Sequence, residues 1–351
     1  MGDALSIALL TLFIPLQTNA PVASYDQFIT STYVAKALPQ EHVLPEPRFV
    51  SQTYNNCGPA ALSMMFSVYG TTISQEELGN QMRPFNSADG GVDDKSVFPD
   101  ELVLYAKKYG FQGVYRPNGT INLLKQLTAN GIPVIVRAWI APGEDIGHFR
   151  IVRGYDEEKQ QIIYDDSYHG PNLTYSYKEF EEMWRPFNYE YMLVYPQEKQ
   201  SLVTALLKDA MNEKKAYSQS VARAKQELQE GKEDAHFSYF NLATAYYHLG
   251  KYPDSVKAYE KAEDNLPKRM LWYQLEPIFA YKKLQKDDRV VQLSDAILSN
   301  GNEAFSELYF VKGEVYLEQQ KTEEARHEFE KAIYYNKNYE AAQKALREIE
   351  S

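Results

Sequence analysis

Gln52-Thr53-Tyr54-Asn55-Asn56-Cys57-Gly58-Pro59-Ala60-Ala61 leads from a polar turn into an apolar run, Leu62 to Tyr69, which stops at Gly70. The pattern predicts a turn at 55–59 and then a helix closed by glycine. The turn that enters that helix carries Cys57, the single cysteine of 351 residues. With one cysteine, an intramolecular disulfide and a Cys-rich zinc site are both excluded. A lone cysteine is ordinarily a small buried hydrophobe. A helix N-terminus gives it a second use, because the dipole and the free N–H groups favour the thiolate.

Downstream, Ser74 followed by Glu77 marks the start of another helix. Pro99 to Tyr109, closed by Gly110, and Thr120 to Asn130 give two more. The period then changes. Ile132 to Ile140 is a continuous apolar run that predicts a strand buried on both faces. His148 to Tyr155, Gln160 to Asp166, Thr174 to Tyr177 and Tyr189 to Tyr195 read as further strands. Helices first and an antiparallel sheet second make an α+β domain.

Thiol catalysis needs a histidine to move a proton, a group to orient the imidazole, and donors for an oxyanion. His236, His248 and His327 fall in the helical second half and His42 in the lead-in, which leaves His148 and His169. His148 follows Gly147 at a strand mouth. The hairpin formed by 148–155 and 160–166 sets its partner. If the turn centres on Glu157, His148 faces Asp166; a one-residue bulge would select Asp165 instead. Gln52, five residues before Cys57, can offer an amide to the oxyanion beside the Cys57 backbone N–H.

These motifs resemble the C39-like peptidases of the papain-like superfamily. The resemblance rests on Gln52 to Ala61, on Gly147-His148-Phe-Arg-Ile-Val-Arg-Gly154-Tyr155-Asp156, on Ile163-Tyr164-Asp165-Asp166-Ser167 and on Phe180 with Trp184, over about residues 40–196. It implies a papain-like α+β fold, N-terminal helices packed on an antiparallel sheet. It also implies a triad of Cys57, His148 and Asp166 with Gln52 assisting the oxyanion, and no metal or cofactor. Two positions depart from the family pattern: Ser167 where Pro is usual after the aspartate, and Arg150 where an apolar residue is common. The best-known relatives cut leader peptides after a double glycine while fused to an export transporter. Transporter helices and a P-loop are not evident in this sequence, so that role is not carried over.

Beyond Pro196 the strand pattern stops and a repeat begins. Tyr246, Tyr281 and Tyr316 lie 35 residues apart, as do Ser255, Val290 and Ala325. A 35-residue period of helical sequence predicts an all-α helix-pair solenoid. Residues 234–267 and 305–338 resemble tetratricopeptide repeats, the unit between them is degenerate, and Gln320 stands where the first unit has its turn glycine, Gly250. The expected organisation is a signal-like or anchor segment at 1–24, a peptidase-like domain at 25–198 and a repeat domain at 199–351. Ala4 to Leu16 is an apolar run of secretory-signal length. It suggests export, or membrane association, with a buried helix in a cytoplasmic protein as the alternative. A net charge of −11 argues against a nucleic-acid partner. The expected function is a cysteine peptidase acting on peptide or protein substrates, with a protein partner bound through the repeats. A non-catalytic peptide-binding module and a thiol acyl or amide transferase are the competing readings. On the two-domain view, deleting 200–351 should leave turnover of small peptides intact.

Overall fold

A computed structural model describes residues 38–85 and 97–350. The signal-like segment 1–24 lies outside the described residues, as do residues 86–96. Among the described residues, no helix is long and apolar enough to cross a membrane.

The first half runs β1 (Glu41–Val43), α1 (Cys57–Val68), α2 (Gln75–Met82), α3 (Pro99–Lys108), β2 (Gln112–Arg116), α4 (Ile121–Ala129), β3 (Val134–Trp139), β4 (Gly147–Asp156), β5 (Gln161–Asp166), β6 (Gly170–Ser176), α5 (Tyr177–Trp184) and β7 (Tyr191–Tyr195). The strands form one antiparallel sheet in the order β2-β7-β3-β4-β5-β6, with β1 added on the far half of β4. The predicted cap at Ser74 is present, its Oγ accepting from Glu77 N at 3.0 Å, and Thr120 caps α4 in the same way, its Oγ1 accepting from Leu123 N at 3.0 Å. β3 is buried along its whole length, as its unbroken apolar run requires.

Two differences from the sequence reading concern local signals. The strand expected through Tyr177 stops at Ser176, which caps α5 in a Ser-x-x-Glu capping box with Glu179. The short strands β1 and β2 carry too little alternation to announce themselves, and β2 exists because β7 pairs with it from Gln112 to Arg116.

α1 and α3 bury one face of the sheet, where Leu62, Met65, Phe66 and Leu102 meet Ile135, Phe149, Ile151 and Met192. The other face packs on α4 and α5, and its apolar cluster continues without a break into the helical second half. That half comprises α6 (Gln200–Leu207), α7 (Glu213–Gln229), α8 (Ala235–His248), α9 (Tyr252–Ala262), α10 (Met270–Tyr273), α11 (Glu276–Lys283), α12 (Asp287–Leu298), α13 (Ser306–Glu318), α14 (Thr322–Tyr335) and α15 (Glu340–Glu350). From Leu38 onward the chain is one compact unit. The architecture is the expected one, an α+β domain followed by an all-α repeat.

The seam between the halves is polar as well as apolar. Arg185 pairs with Glu227 at 3.1 Å and donates to Ser238 Oγ at 2.8 Å, Tyr189 OH donates to Glu227 Oε1 at 2.6 Å, and the Arg223 guanidinium lies over the Tyr189 ring. At the other end of the repeats, Phe85 packs on Tyr335 and Asn338 donates to the carbonyl of Gln81.

The repeat period is visible in the backbone. Gly250, Gln285 and Gln320, each 35 residues apart, take φ of +72°, +55° and +62° in the turn between the two helices of their units. A side chain in that left-handed region costs roughly 1–2 kcal/mol, partly offset by the extra chain entropy a glycine loses. Gln320→Gly is therefore expected to stabilise the repeats by about 0.5 kcal/mol. Urea unfolding read by far-UV circular dichroism measures it, and a lowered midpoint would contradict the assignment of the strain.

Candidate active site

Cys57 is the first residue of α1. A tight turn delivers it there: Asn56 N donates to Thr53 O at 3.1 Å, Asn56 Nδ2 to Thr53 Oγ1 at 2.7 Å, and Asn55 sits at φ +54°, which asparagine tolerates. Asn56 does not cap the helix with its side chain. The thiol is half-buried.

β4 delivers His148 and β5 delivers Asp166. His148 Nε2 meets Asp166 Oδ1 at 2.8 Å, with the two side chains 2% and 0% exposed. The other ring nitrogen remains for Cys57, which lies near enough for the His148 ring and the Phe149 backbone N–H to act on its charge. Burial would push the thiol pKa up. The hydrogen bond and charge of His148, the Phe149 N–H and the Arg83 charge outweigh it and hold Cys57 below its ordinary value. Burial would likewise push His148 down, but the hydrogen bonds and charges of Asp166 and Cys57 raise it. Both shifts favour a thiolate–imidazolium pair.

Asp166 reaches this position by a different count from the one expected. The hairpin turn is 157–160, so its centre lies beyond Glu157. Asp156 pairs with Gln161 and Gly154 with Ile163; a β-bulge at Arg153 then shifts the register, giving Val152 with Tyr164 and Arg150 with Asp166. Without the bulge, Asp165 would share the face of His148. The bulge thus selects Asp166, the reverse of the effect expected of it, and Asp166 stands directly opposite Arg150 and diagonal to His148. Asp165 points to the other face, ion-paired with Arg153 at 2.6 Å and accepting from Asn172 N at 2.9 Å.

The two positions that break the family pattern both act here. Arg150, buried, donates to Asp166 Oδ2 at 3.0 Å and to the Trp139 carbonyl at 2.8 Å. Ser167 Oγ donates to Gln52 Oε1 at 2.9 Å, and its carbonyl receives Gln52 N at 2.9 Å. Gln52 therefore has its carbonyl end fixed and its amide nitrogen left over. Buried Gln75 steadies the same segment, accepting from Thr53 N and donating to Ser51 O. His169 completes the surroundings of Asp166: its backbone N–H and that of Tyr168 reach Oδ1 at 3.0 and 2.8 Å, and its Nδ1 lies 3.2 Å from Oδ2. Burial would raise Asp166, yet the His148 hydrogen bond and charge, then Arg150, hold it far below the usual carboxylate range. Sequence reasoning missed the roles of Arg150 and His169, although Arg150 lies two residues from His148 on the same strand face.

The repeats reach the loop that leads to His148. Arg269 pairs with Asp145. Gly147 packs so tightly that a Cβ there would lie 3.0 Å from both Phe187 and Tyr273, the latter contributed by α10.

Residues 36–192 match the model of the Peptidase_C39 like family, and residues 236–269 and 306–339 match tetratricopeptide repeat models. The chain carries a C39-like peptidase domain followed by two tetratricopeptide repeats. Among solved structures, a protein described as a C39-like peptidase from Bacillus anthracis is 17% identical, with 45% of this chain and 98% of that one covered at a TM-score of 0.38. The peptidase domain of Streptococcus ComA, described as a bifunctional ABC transporter, is 21% identical over 44% of this chain and 100% of its own, at 0.35. The first tetratricopeptide domain of human RPAP3 is 22% identical over 33% and 89%, at 0.29. No curated protein matches the chain.

Proposed function

We propose that this protein is a thiol peptidase acting through Cys57, His148 and Asp166. The observation that carries the reading is a half-buried cysteine at a helix N-terminus beside a buried imidazole, which is itself hydrogen-bonded to a buried carboxylate. Cys57 Sγ attacks the scissile carbonyl carbon. The oxyanion is met by the Cys57 backbone N–H and the Gln52 amide. The C–N bond breaks as the His148 imidazolium gives its proton to the leaving amine. Water then attacks the acyl-thioester, losing its proton to His148, and releases the acid and the thiolate. Asp166 keeps the imidazole oriented and stabilises its charge. The repeats bind a protein partner or hold a protein substrate near the cleft.

Iodoacetamide labelling of Cys57 against pH tests the pair. The lowered thiol pKa keeps the parent reactive below the ordinary thiol value of about 8.5. His148→Ala is expected to cut the rate at least ~10-fold near neutral pH, since a one-unit rise in pKa alone does so. Peptide hydrolysis should show a bell: it falls at low pH as the thiolate protonates, and at high pH as the imidazolium, whose pKa is raised, loses its proton. Equal labelling of parent and His148→Ala at neutral pH sinks the paired-thiolate mechanism.

A further inference from the structure

Away from Cys57, a cavity of about 750 Å³ lies between the sheet and the repeats. Tyr115 from β2, Arg137 from β3, Tyr217 from α7, Tyr247 from α8, and Glu276 and Phe279 from α11 line it. Its volume falls in the range of roughly 300–1,000 Å³ typical of ligand pockets.

Two polar groups in it have no assigned work. Arg137 is 1% exposed, and its Nε is committed to Glu190 Oε1 at 2.5 Å. Tyr115 OH fixes the other Glu190 oxygen at 2.8 Å. The Arg137 Nη1 is buried with no hydrogen-bond partner among the described residues. Opposite in charge, Glu276 uses Oε1 to accept from His248 at 3.1 Å, while its Oε2 is buried and also without a partner among the described residues. Glu213 lines the cavity beside it, 4.0 Å from the same histidine. A buried donor or acceptor left unpaired costs about 1–3 kcal/mol, and native proteins seldom keep one without a use. Neither group takes part in the Cys57 chemistry.

We infer that this inter-domain cavity is a second binding site, which takes a short peptide with its free carboxylate on Arg137 and its ammonium on Glu276. The guanidinium fork suits a carboxylate, the acidic pole suits a cation, and the aromatic walls between them suit apolar side chains. An inorganic anion would satisfy one pole only. This site stands independently of whether Cys57 is catalytic.

The test uses the full chain with Cys57→Ser, so that cleavage is not read as binding. Calorimetry would follow the tetrapeptide Ala-Phe-Ala-Phe with free ends, with its C-terminus amidated, and with its N-terminus acetylated. Losing one charge-assisted hydrogen bond weakens binding about 10- to 100-fold. Amidation is expected to do so, and Arg137→Met combined with Glu190→Gln, which removes both buried charges together, should abolish the preference for the free acid. Acetylation should weaken binding likewise, and Glu276→Gln should abolish that preference. Equal binding of the acid and the amide by the unsubstituted cavity overturns the proposal, as does binding of none of the peptides. A preference for the acid that survives the Arg137 change moves the site elsewhere, and phosphate binding as tightly as the peptide overturns the peptide assignment. The three peptides are compared on the unsubstituted cavity, so a cavity variant that fails to fold does not shield the proposal from that comparison.

Discussion

A chain cut after Lys199 is expected to lose its fold, and with it all activity. Turnover of small peptides will not survive, contrary to the two-domain expectation. Trp139 and Phe187, both almost fully buried, pack on Tyr273 from α10, and Tyr189 is covered by Arg223 from α7. Returning each such side chain to water costs about 1.5–3 kcal/mol, so these three alone cost on the order of 5–9 kcal/mol. That is comparable to the whole stability of an ordinary domain, about 5–15 kcal/mol. The cut also removes the partners of Arg185 and the contact that packs Gly147 beside His148. Thermal melting of a 38–199 fragment, with iodoacetamide labelling alongside, measures the outcome. A cooperative melt with parental turnover would mean that the seam is a docking contact and not part of the peptidase fold.

The sequence spoke most clearly where one short segment carried the whole signal. The cap at Ser74 and the unbroken apolar run of β3 are local, and each is where it was expected; the turn expected over 55–59 gives way to helix already at Cys57. The 35-residue period survived even where its turn glycine became Gln285 and Gln320, because both keep the left-handed turn. What stayed hidden depends on pairing between distant segments. The bulge at Arg153 decides which aspartate faces His148, yet no residue type marks it in advance. The count that chose Asp166 took the wrong turn centre and ignored the bulge, and the two displacements together preserve the face. Ser167 and Arg150 looked like departures from the family pattern. Their use becomes legible only when Gln52 and Asp166 are beside them. The seam was hidden for a related reason: Trp139 and Phe187 read as ordinary core residues, and nothing local says that the helices burying them lie past residue 200.

Asp165→Asn and Asp166→Asn should have similar effects on stability and opposite consequences for catalysis. Each removes the anion facing a buried arginine, Arg153 or Arg150. An uncompensated buried charge costs about 3–5 kcal/mol, so both variants should melt well below the parent. Only Asp166 touches His148. Asp166→Asn loses the acceptor that fixes the imidazole and the charge that sustains its protonated form, and kcat should fall on the order of 10²–10⁴-fold. Asp165→Asn should keep kcat within a few-fold of the parent at a temperature where both are folded. The acid limb of stability tests Asp166 further. The folded-state pKa of Asp166 is depressed, so its contribution is fully present above the unfolded carboxylate value of about 3.9 and is lost as pH falls through the folded value. Asp166→Asn removes that contribution, and its stability should vary less with pH below about 4 than that of the parent. If Asp165→Asn proves the inactive variant, the bulge at Arg153 is misplaced and the register beyond it shifts by one residue, which would carry Asp165 onto the face of His148.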